Sequence, residues 1–573
     1  MKKILFSMAL CSTVLVGCQQ DLLDIPQKGV TPMENFYQTD EDAESALVAA
    51  YAYSAQYYAN NTADCGWNDS PFLNFIYLGD DVVAAGQNKT DNAGQNELHS
   101  FRFDTNNGHL SGAFKSFYRS TYACNLVINN FEPVSQTKKR CIAEARVIRA
   151  FNHFMLAQGW GAVPIVETVL GGADRLGNSE SREQVFEWVV KECQEAMADL
   201  TERTSPSDKK GAVKVTKGFA QAVQGKALLY LKKYSEAAAV LKQVINSGKY
   251  QLVPSDQMKT IFHVSGDACS ESIFEFNLVY DAGIGGYGNK TTRNQNILWN
   301  FRSDKINLPT GAGSEIVNNG WGALLPSKKF IDALLANDGM ESARRKAWIL
   351  SYDELLYDQP YTSDANCPTL ADKMKDKSRG AYTADGVYGC SGYFQWKRAY
   401  RKEDDNGNGS GSSNMQNMAL MRFPEVLLMY AECQAQTGDS DGSGLAALNM
   451  IQERAQANHK STACTMDEVK NERFLELFME GVRFFDLVRW GDAPKELGNQ
   501  GSYFPNYCDA MFTKGESEHR GYLDDSDAGW CKAAYGDRIG FKTGKHELFP
   551  YPYSETSINP NIVQNPGWGS SAE

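Results

Sequence analysis

The chain has 573 residues, of which 42% are hydrophobic, and its 57 Lys and Arg residues are outnumbered by 70 Asp and Glu residues, which gives a formal net charge of −13. A chain of this length exceeds the usual limit of one core, so we expect one very large domain or two closely packed subdomains. The acidic balance opposes binding to nucleic acid and to anionic membrane headgroups.

The N-terminus has the pattern of an export signal. Lys2 and Lys3 precede an apolar run over residues 4–16 that is too short to cross a bilayer as a mature helix, and Gly17 and Cys18 follow it. This ending resembles a bacterial lipobox, in which Cys18 is lipidated and becomes the first mature residue; the alternative is an ordinary signal peptide that contains a cysteine. We therefore expect a lipoprotein signal peptide over residues 1–17, a lipidated tether over 18–32, and membrane attachment through the lipid alone.

Residues 33–573 are predicted to form a single body that begins with helices. Thr39 starts the first helix, with Asp42 as its capping-box partner. Residues 60–112 are rich in Asn, Gly and Asp and predict irregular structure. Helical spacing returns over 113–130 and 138–160, and a further helix follows Ser181, with Gln184 in the capping position.

Two stretches predict helical hairpins. In residues 216–250, Gly225 and Leu241 fall where a tetratricopeptide unit places its packing residues, because a small residue lets paired helices approach closely. Residues 423–436 and 445–457 form a second pair, and Thr465 caps the helix that follows. The predicted fold is mainly α: a tetratricopeptide-like α-solenoid scaffold, mainly over 33–252 and 415–491.

The scaffold is interrupted by a large loop-rich insertion over about 253–414. It is rich in Gly and aromatic residues, with short strands near 272–278 and 393–397 and a helix near 327–336. Residues 492–573 form an irregular C-terminal segment. Four cysteines in helical patterns are predicted to be buried, whereas two pairs in loops are candidate disulfides whose pairing stays open. The four are Cys124, Cys141, Cys193 and Cys433, and the pairs are Cys367 with Cys390 and Cys508 with Cys531.

Four segments together resemble one family. They are residues 144–150 running to a Gly-Pro turn at 160–164, residues 422–432, the charged helical stretch 472–490, and the proline-punctuated ending at 548–552, 559–561 and 564–566. These motifs resemble those of the SusD/RagB-like outer-membrane lipoproteins over essentially the whole mature chain. Ala162 stands where that family often has a polar residue, which is a trivial departure.

The resemblance implies both a fold and a function. The fold is a four-unit tetratricopeptide scaffold with a variable loop-rich face. The implied function is a non-catalytic, cell-surface glycan-binding lipoprotein of the outer membrane, anchored at Cys18, which captures oligo- or polysaccharide and delivers it to a SusC-like TonB-dependent transporter.

A glycan site needs flat apolar rings for sugar C–H groups and nearby polar side chains for hydroxyls. Aromatic residues in the loops, each with polar neighbours, meet this requirement. For Tyr77 and Asp81 the alternative is a structural role at a strand end, and for Trp321 it is a scaffold role. The candidate glycan-binding residues are Trp67, Asn68, Tyr77, Asp81, Tyr287, Arg293, Trp299 and Trp321.

No catalytic residue and no cofactor is predicted. Arg473, Glu476, Glu480, Arg483 and Asp486 suggest catalysis at first sight, but their helical spacing predicts ion pairs. The G-x-S-x-G pattern at 438–442 follows a helix, whereas a hydrolase nucleophile follows a strand.

Metal sites are weakly indicated. The chain has no C-x-x-C and no Cys/His cluster at zinc spacing. Calcium-like loops at 404–409 and 439–444 have Met415 and Met450 where the bidentate Glu belongs, so no EF-hand is predicted, although a looser structural calcium site stays open. The rival functions are a surface glycoside hydrolase and a peptide- or protein-binding scaffold of the same fold.

Overall fold

The structure is a computed structural model, and it describes residues 36–59, 70, 72–84, 86, 92–278, 299–300, 320–351, 354, 393–401, 404, 416–498 and 539–569. The predicted signal peptide, Cys18, the tether and both candidate disulfides lie outside these residues. No helix within these ranges is long and apolar enough to traverse a bilayer.

The scaffold is a series of helices in which each packs against the next. A short helix α2 (Ala93–Ser100) and a one-turn helix α6 (Lys209–Ala212) lie outside the series. The arrangement corresponds to four helical hairpins side by side and confirms the predicted α-solenoid. The series is α1 (Asp40–Ala59), α3 (Gly108–Asn130), α4 (Gln136–Trp160), α5 (Arg182–Ala196), α7 (Lys217–Tyr230), α8 (Tyr234–Asn246), α11 (Phe423–Thr437) and α12 (Ser443–Ala455).

Polar side chains set the helix starts. Thr39 and Asp42 form the predicted capping box: the amide of Asp42 donates to Thr39 Oγ1 at 3.0 Å, and the amide of Thr39 donates to Asp42 Oδ2 at 2.8 Å. Ser181 accepts from the amide of Gln184 at 3.1 Å, as predicted. Helix α3 begins five residues before the predicted start because Asn107 Oδ1 accepts from the amides of the first turn.

The hairpin α7–α8 shows why a small residue is needed. A Cβ atom at Gly225 would lie 2.6 Å from Leu241 Cδ2, so only glycine allows this approach of the two helices. The second hairpin, α11–α12, turns at residues 438–442, and Thr465 accepts from the amide of Glu468 to start α13 (Met466–Glu476). Both predicted hairpins are confirmed.

Residues predicted as irregular contain more structure than expected. Between 72 and 100 the chain forms a 3-10 helix (Leu73–Leu78), strand β1 (Val82–Ala84) and α2. Its side chains in this stretch are largely buried, which explains the aromatic content of a segment with a loop-like composition.

In its described residues the insertion contains the predicted strands near 272–278 and 393–397 and the predicted helix near 327–336, together with further short strands and a helix over 343–348 that lies outside the predicted range. Strand β1 pairs antiparallel with β3 (Leu324–Pro326), with Val83 opposite Leu325. Strand β2 (Ser272–Phe276) pairs with β6 (Met418–Arg422), and β4 (Ile349–Ser351) pairs with β5 (Tyr393–Gln395). Helix α9 (Lys328–Asp338) is capped by Ser327, and α10 (Ala343–Trp348) follows it.

The chain ends against the scaffold. Helices α14 (Arg483–Trp490) and α15 (Ala493–Leu497) follow α13, and a one-turn helix α16 (Tyr553–Thr556) lies near the C-terminus. Trp160 Nε1–H donates to the carbonyl of Pro550 at 2.9 Å, and Asn565 Nδ2 donates to the carbonyl of Trp160 at 2.9 Å. The predicted burial of Cys124, Cys141, Cys193 and Cys433 is confirmed.

Candidate ligand-binding surface

Three of the predicted site residues lie inside the protein. Tyr77 is fully buried, Trp299 is 1% exposed and Asp81 is 3% exposed. Trp299 Nε1–H donates to Tyr77 Oη at 3.0 Å, and the carbonyl of Asp81 accepts from the amide of Ser327 at 2.9 Å. A buried ring offers no face to a sugar and a buried carboxylate offers it no oxygen, so the prediction that these three residues contact ligand is wrong. A structural role fits them instead.

Next to the buried Tyr77–Trp299 pair, Asn300 binds the backbone of two other segments. Asn300 Nδ2 donates to the carbonyl of Tyr400 at 3.1 Å, Asn300 Oδ1 accepts from the amide of Tyr400 at 2.8 Å, and the carbonyl of Asn300 accepts from the amide of Gly322 at 2.8 Å. A Cβ atom at Gly320 would lie 2.2 Å from the Asn300 carbonyl oxygen. Residues 299–300 and 320–322 are therefore held together.

Trp321 lies in the segment 320–322 that Asn300 holds, and its side chain extends toward solvent. Its side chain is 40% exposed, and the other tryptophans within the described ranges are buried or half-buried. Its exposure is compatible with the predicted ligand contact. Directly after it, the buried pair β1–β3 provides a rigid base. The candidate surface is therefore the face around Trp321.

The other predicted site residues are not located by the structure. Trp67, Asn68, Tyr287 and Arg293 lie outside the described residues. Their participation stays a prediction.

Just before β1, two adjacent carboxylates behave differently. Burial alone would raise the pKa of Asp80, but the charges of Arg483 and Lys329 outweigh it and hold that pKa well below its usual range. Arg483 Nε donates to Asp80 Oδ1 at 2.6 Å. Burial, reinforced by the charge of Asp80, raises the pKa of Asp81 to about 7. Asp80 was not among the predicted site residues; its signal in the sequence is its place beside a second acid at the end of an apolar run.

Comparison with known proteins identifies the family. The model of the SusD family matches residues 270–568, which is more than half of the chain. The chain belongs to the SusD family. A "SusD-like protein" of Bacteroides ovatus is 24% identical over 545 residues, covering 92% of this chain and 87% of the relative.

Solved structures show the same fold. A laminarin-binding SusD-like protein superposes with a TM-score of 0.67 at 24% identity, covering 92% of this chain and 99% of that chain. Surface glycan-binding protein A from Bacteroides thetaiotaomicron, in complex with laminarihexaose, gives a TM-score of 0.69 at 21% identity, covering 92% of this chain and all of the other.

In this SusD-family chain, the charged helical stretch is structural. Glu480 Oε1 accepts from Lys397 at 2.7 Å, and Glu480 Oε2 accepts from Arg422 at 2.9 Å. Despite its burial, these cations lower the pKa of Glu480 to about 2, so it stays ionised and is unsuited to act as a general acid. Arg473 pairs with Asp486 at 2.7 Å in the same way. The predicted ion pairs are confirmed.

Acidic side chains in the hydrolase-like motif, and in the described part of the calcium-like loops, make contacts within the body. Asp439 Oδ1 accepts from the amide of Gly444 at 2.7 Å and Asp439 Oδ2 from that of Leu445 at 3.0 Å, so this carboxylate holds the start of α12. Asp404 Oδ2 contacts His263 Nδ1 at 2.9 Å in a fully buried pair. Within the residues that the structure describes, no group of three or more His, Cys, Asp or Glu side chains is placed to hold a metal ion.

A concave surface lies on the scaffold, and none of the predicted site residues lines it. We call it the α1–α3 groove; it has a volume of about 940 Å³ and is formed by α1, α3, residues 164–176 and residues 555–562. Its sequence signal is a row of aromatic residues at four-residue spacing on α3: Phe114, Tyr118 and Tyr122. Its aromatic and aliphatic lining includes Phe36, Tyr37, Tyr53, Tyr118, Tyr122, Leu126, Leu170, Leu176 and Ile562.

Proposed function

We propose that this protein is a lipid-anchored, cell-surface glycan-binding protein of the outer membrane that captures oligo- or polysaccharide and delivers it to a SusC-like TonB-dependent transporter. The observation that carries the proposal is an exposed indole, Trp321, on a backbone fixed by a buried pair. A rigid aromatic face loses little conformational entropy when a sugar stacks on it.

Family membership and the relatives support the ligand class. Two similar structures are named for laminarin binding or contain laminarihexaose, which makes these glucans the first ligands to test. Trp67, Tyr287 and Arg293 complete the proposed site, together with Asn68. Trp321 and Trp67 provide stacking, and the polar side chains bind hydroxyl groups.

Affinity gels containing different polysaccharides test the proposal. We expect at least one glycan to retard the protein, and Trp321→Ala and Trp67→Ala to weaken that retardation by tenfold or more. Tyr553→Ala is the matched control, because Tyr553 is an exposed aromatic residue, 46% exposed, on α16. If no glycan retards the protein, or if the control weakens binding equally, the glycan assignment fails.

The rival functions predict different outcomes in the same preparation. A glycoside hydrolase would release reducing ends steadily, and that result would overturn the non-catalytic assignment. A peptide-binding member of the family would bind peptides while no polysaccharide retards it.

Anchoring is tested separately from binding. We expect Cys18→Ala to release the protein from the membrane and to impair glycan uptake, while glycan binding by the isolated protein persists. Loss of binding in this variant would mean that the anchor does more than hold the protein at the membrane.

A further inference from the structure

The α1–α3 groove exposes large apolar side chains, which is unusual for a surface that stays in water. Tyr53 and Tyr122 are each 52% exposed, and Leu170 and Leu176 are 38% and 36% exposed. All four line the groove. Contiguous exposed apolar surface of this kind marks a site where another chain segment or molecule docks.

The N-terminal end of the described chain lies at this groove. Phe36 and Tyr37 line it, and the ring of Tyr37 packs edge-on against Phe131 with centroids 5.2 Å apart. Tyr37 has a left-handed backbone, with φ of 66°, directly before the capping box that starts α1. The described chain therefore begins at the groove.

The preceding residues have a complementary composition. Asp21 and Asp24 flank Leu22 and Leu23, and Ile25 follows them. The groove offers these three apolar side chains an aromatic and aliphatic lining.

The groove also contains acidic side chains. Glu555 pairs with Lys115 at 3.9 Å, and Asp174 Oδ2 accepts from the amide of Gly171 at 2.6 Å. The charged side chains of the groove therefore have partners within the body, and it is the apolar lining that suits residues 21–25.

The stretch between residues 25 and 36 is long enough for residues 21–25 to reach the groove. Eleven residue steps separate Ile25 from Phe36, which reach at most about 40 Å when extended. We propose that residues 21–25 of the tether dock in the α1–α3 groove, with Leu22, Leu23 and Ile25 against its aromatic lining.

Docking would set how far the body reaches from the membrane; this consequence rests on the proposed anchor at Cys18, whereas the docking itself does not. Eighteen residue steps from Cys18 to Phe36 span at most about 65 Å, but only four steps, about 14 Å, separate Cys18 from Leu22. The docked tether holds the body close to the anchor, and its release lets the body move over a partner.

Photocrosslinking tests the docking in the unlipidated chain of residues 18–573 that carries Cys18→Ala. Leu23 is replaced by p-benzoylphenylalanine, an apolar photoreactive residue, and the adducts are mapped by mass spectrometry. We expect adducts within residues 45–53 and 115–126. Mixing isotopically light and heavy protein distinguishes contact within one chain from contact between two copies.

Matched variants locate the contact. Ala49 is exposed and lines the groove, whereas Val48, 65% exposed, is its neighbour on α1 and does not line it. We expect Ala49→Arg to reduce the groove adducts at least tenfold and Val48→Arg to leave them unchanged. Ser45→Arg, a second exposed lining position, repeats the test, and unchanged thermal unfolding midpoints confirm that each variant is folded.

Three results would overturn the proposal: adducts outside the groove or none at all, adducts that join light and heavy chains, and groove adducts that persist in both Ala49→Arg and Ser45→Arg. No glycan and no lipid is present in the experiment. Its failure therefore leaves the proposed glycan binding and anchoring unaffected.

Discussion

Trp299 donates a hydrogen bond to Tyr77 from 222 residues further along the chain, with Nε1 and Oη 3.0 Å apart, and both rings are buried. The loop-rich insertion is thereby joined to the N-terminal part of the body. Because Asn300 next to Trp299 also binds the backbone at Gly322, the pair fixes the base of Trp321. Trp299 therefore has a structural role, whereas the side chain of Trp321 is exposed at the surface.

Because of these different roles, alanine substitution of the two tryptophans should affect stability to very different extents. We expect Trp299→Ala to lower the free energy of unfolding by about 3–5 kcal/mol, since it leaves a cavity in the core, and Trp321→Ala to change it by less than about 0.5 kcal/mol. Denaturant titration measures both. Equal losses of stability would contradict the assignment of Trp321 to the surface.

The buried pair Asp80–Arg483 joins the start of the body to the charged helical stretch of the family, 403 residues away. We expect Asp80→Asn to destabilise the protein by about 3 kcal/mol, because it leaves a buried guanidinium without its carboxylate. The control is Lys346→Ala, which removes the exposed pair with Glu341 and is expected to cost less than about 1 kcal/mol. If Asp80→Asn and Lys346→Ala lost similar amounts of stability, burial would not explain the strength of the Asp80–Arg483 pair.

The raised pKa of Asp81 predicts that the stability of the protein falls as the pH rises. The folded protein retains the Asp81 proton up to about pH 7, whereas the unfolded chain releases it near 3.8. Between these values the folded state binds more protons, so this residue lowers stability as the pH rises. We expect Asp81→Asn to be more stable than the parent at pH 8 by about 2–4 kcal/mol.

The difference should shrink toward zero near pH 3, where both states of the parent carry the proton. Unfolding midpoints of the parent and Asp81→Asn at several pH values measure it. A difference that is the same at every pH would mean that ionisation of Asp81 is not its cause.

Local features of the sequence predicted the scaffold well, because each depends on residues close in the chain. The caps at Thr39 and Ser181 need only the next turn, and Gly225 identifies a hairpin through a partner sixteen residues away. The burial of Trp299 depends instead on Tyr77, which is distant in sequence. A loop-like composition around an aromatic residue therefore cannot tell a ligand contact from a core position.

The start of α3 illustrates the same limit at shorter range. Apolar spacing predicts that the helix starts at residue 113. The side chain of Asn107 instead caps a helix that begins at Gly108, which adds a polar first turn. The α1–α3 groove was missed because its lining comes from four separate segments. Its composition is visible only after these segments are brought together.

Gly320 provides a test that links the buried support to ligand binding. A Cβ atom there would lie 2.2 Å from the carbonyl oxygen of Asn300, and backbone cannot yield as a flexible side chain can. We expect Gly320→Ala to displace the backbone that carries Trp321 and to weaken glycan retardation in affinity gels at least tenfold, although no ligand-facing side chain is altered. Gly172→Ala is the control, because a Cβ atom at that position would have no neighbour within 4 Å. Undiminished retardation by Gly320→Ala, with Trp321→Ala still defective, would show that Trp321 binds without the fixed backbone beneath it.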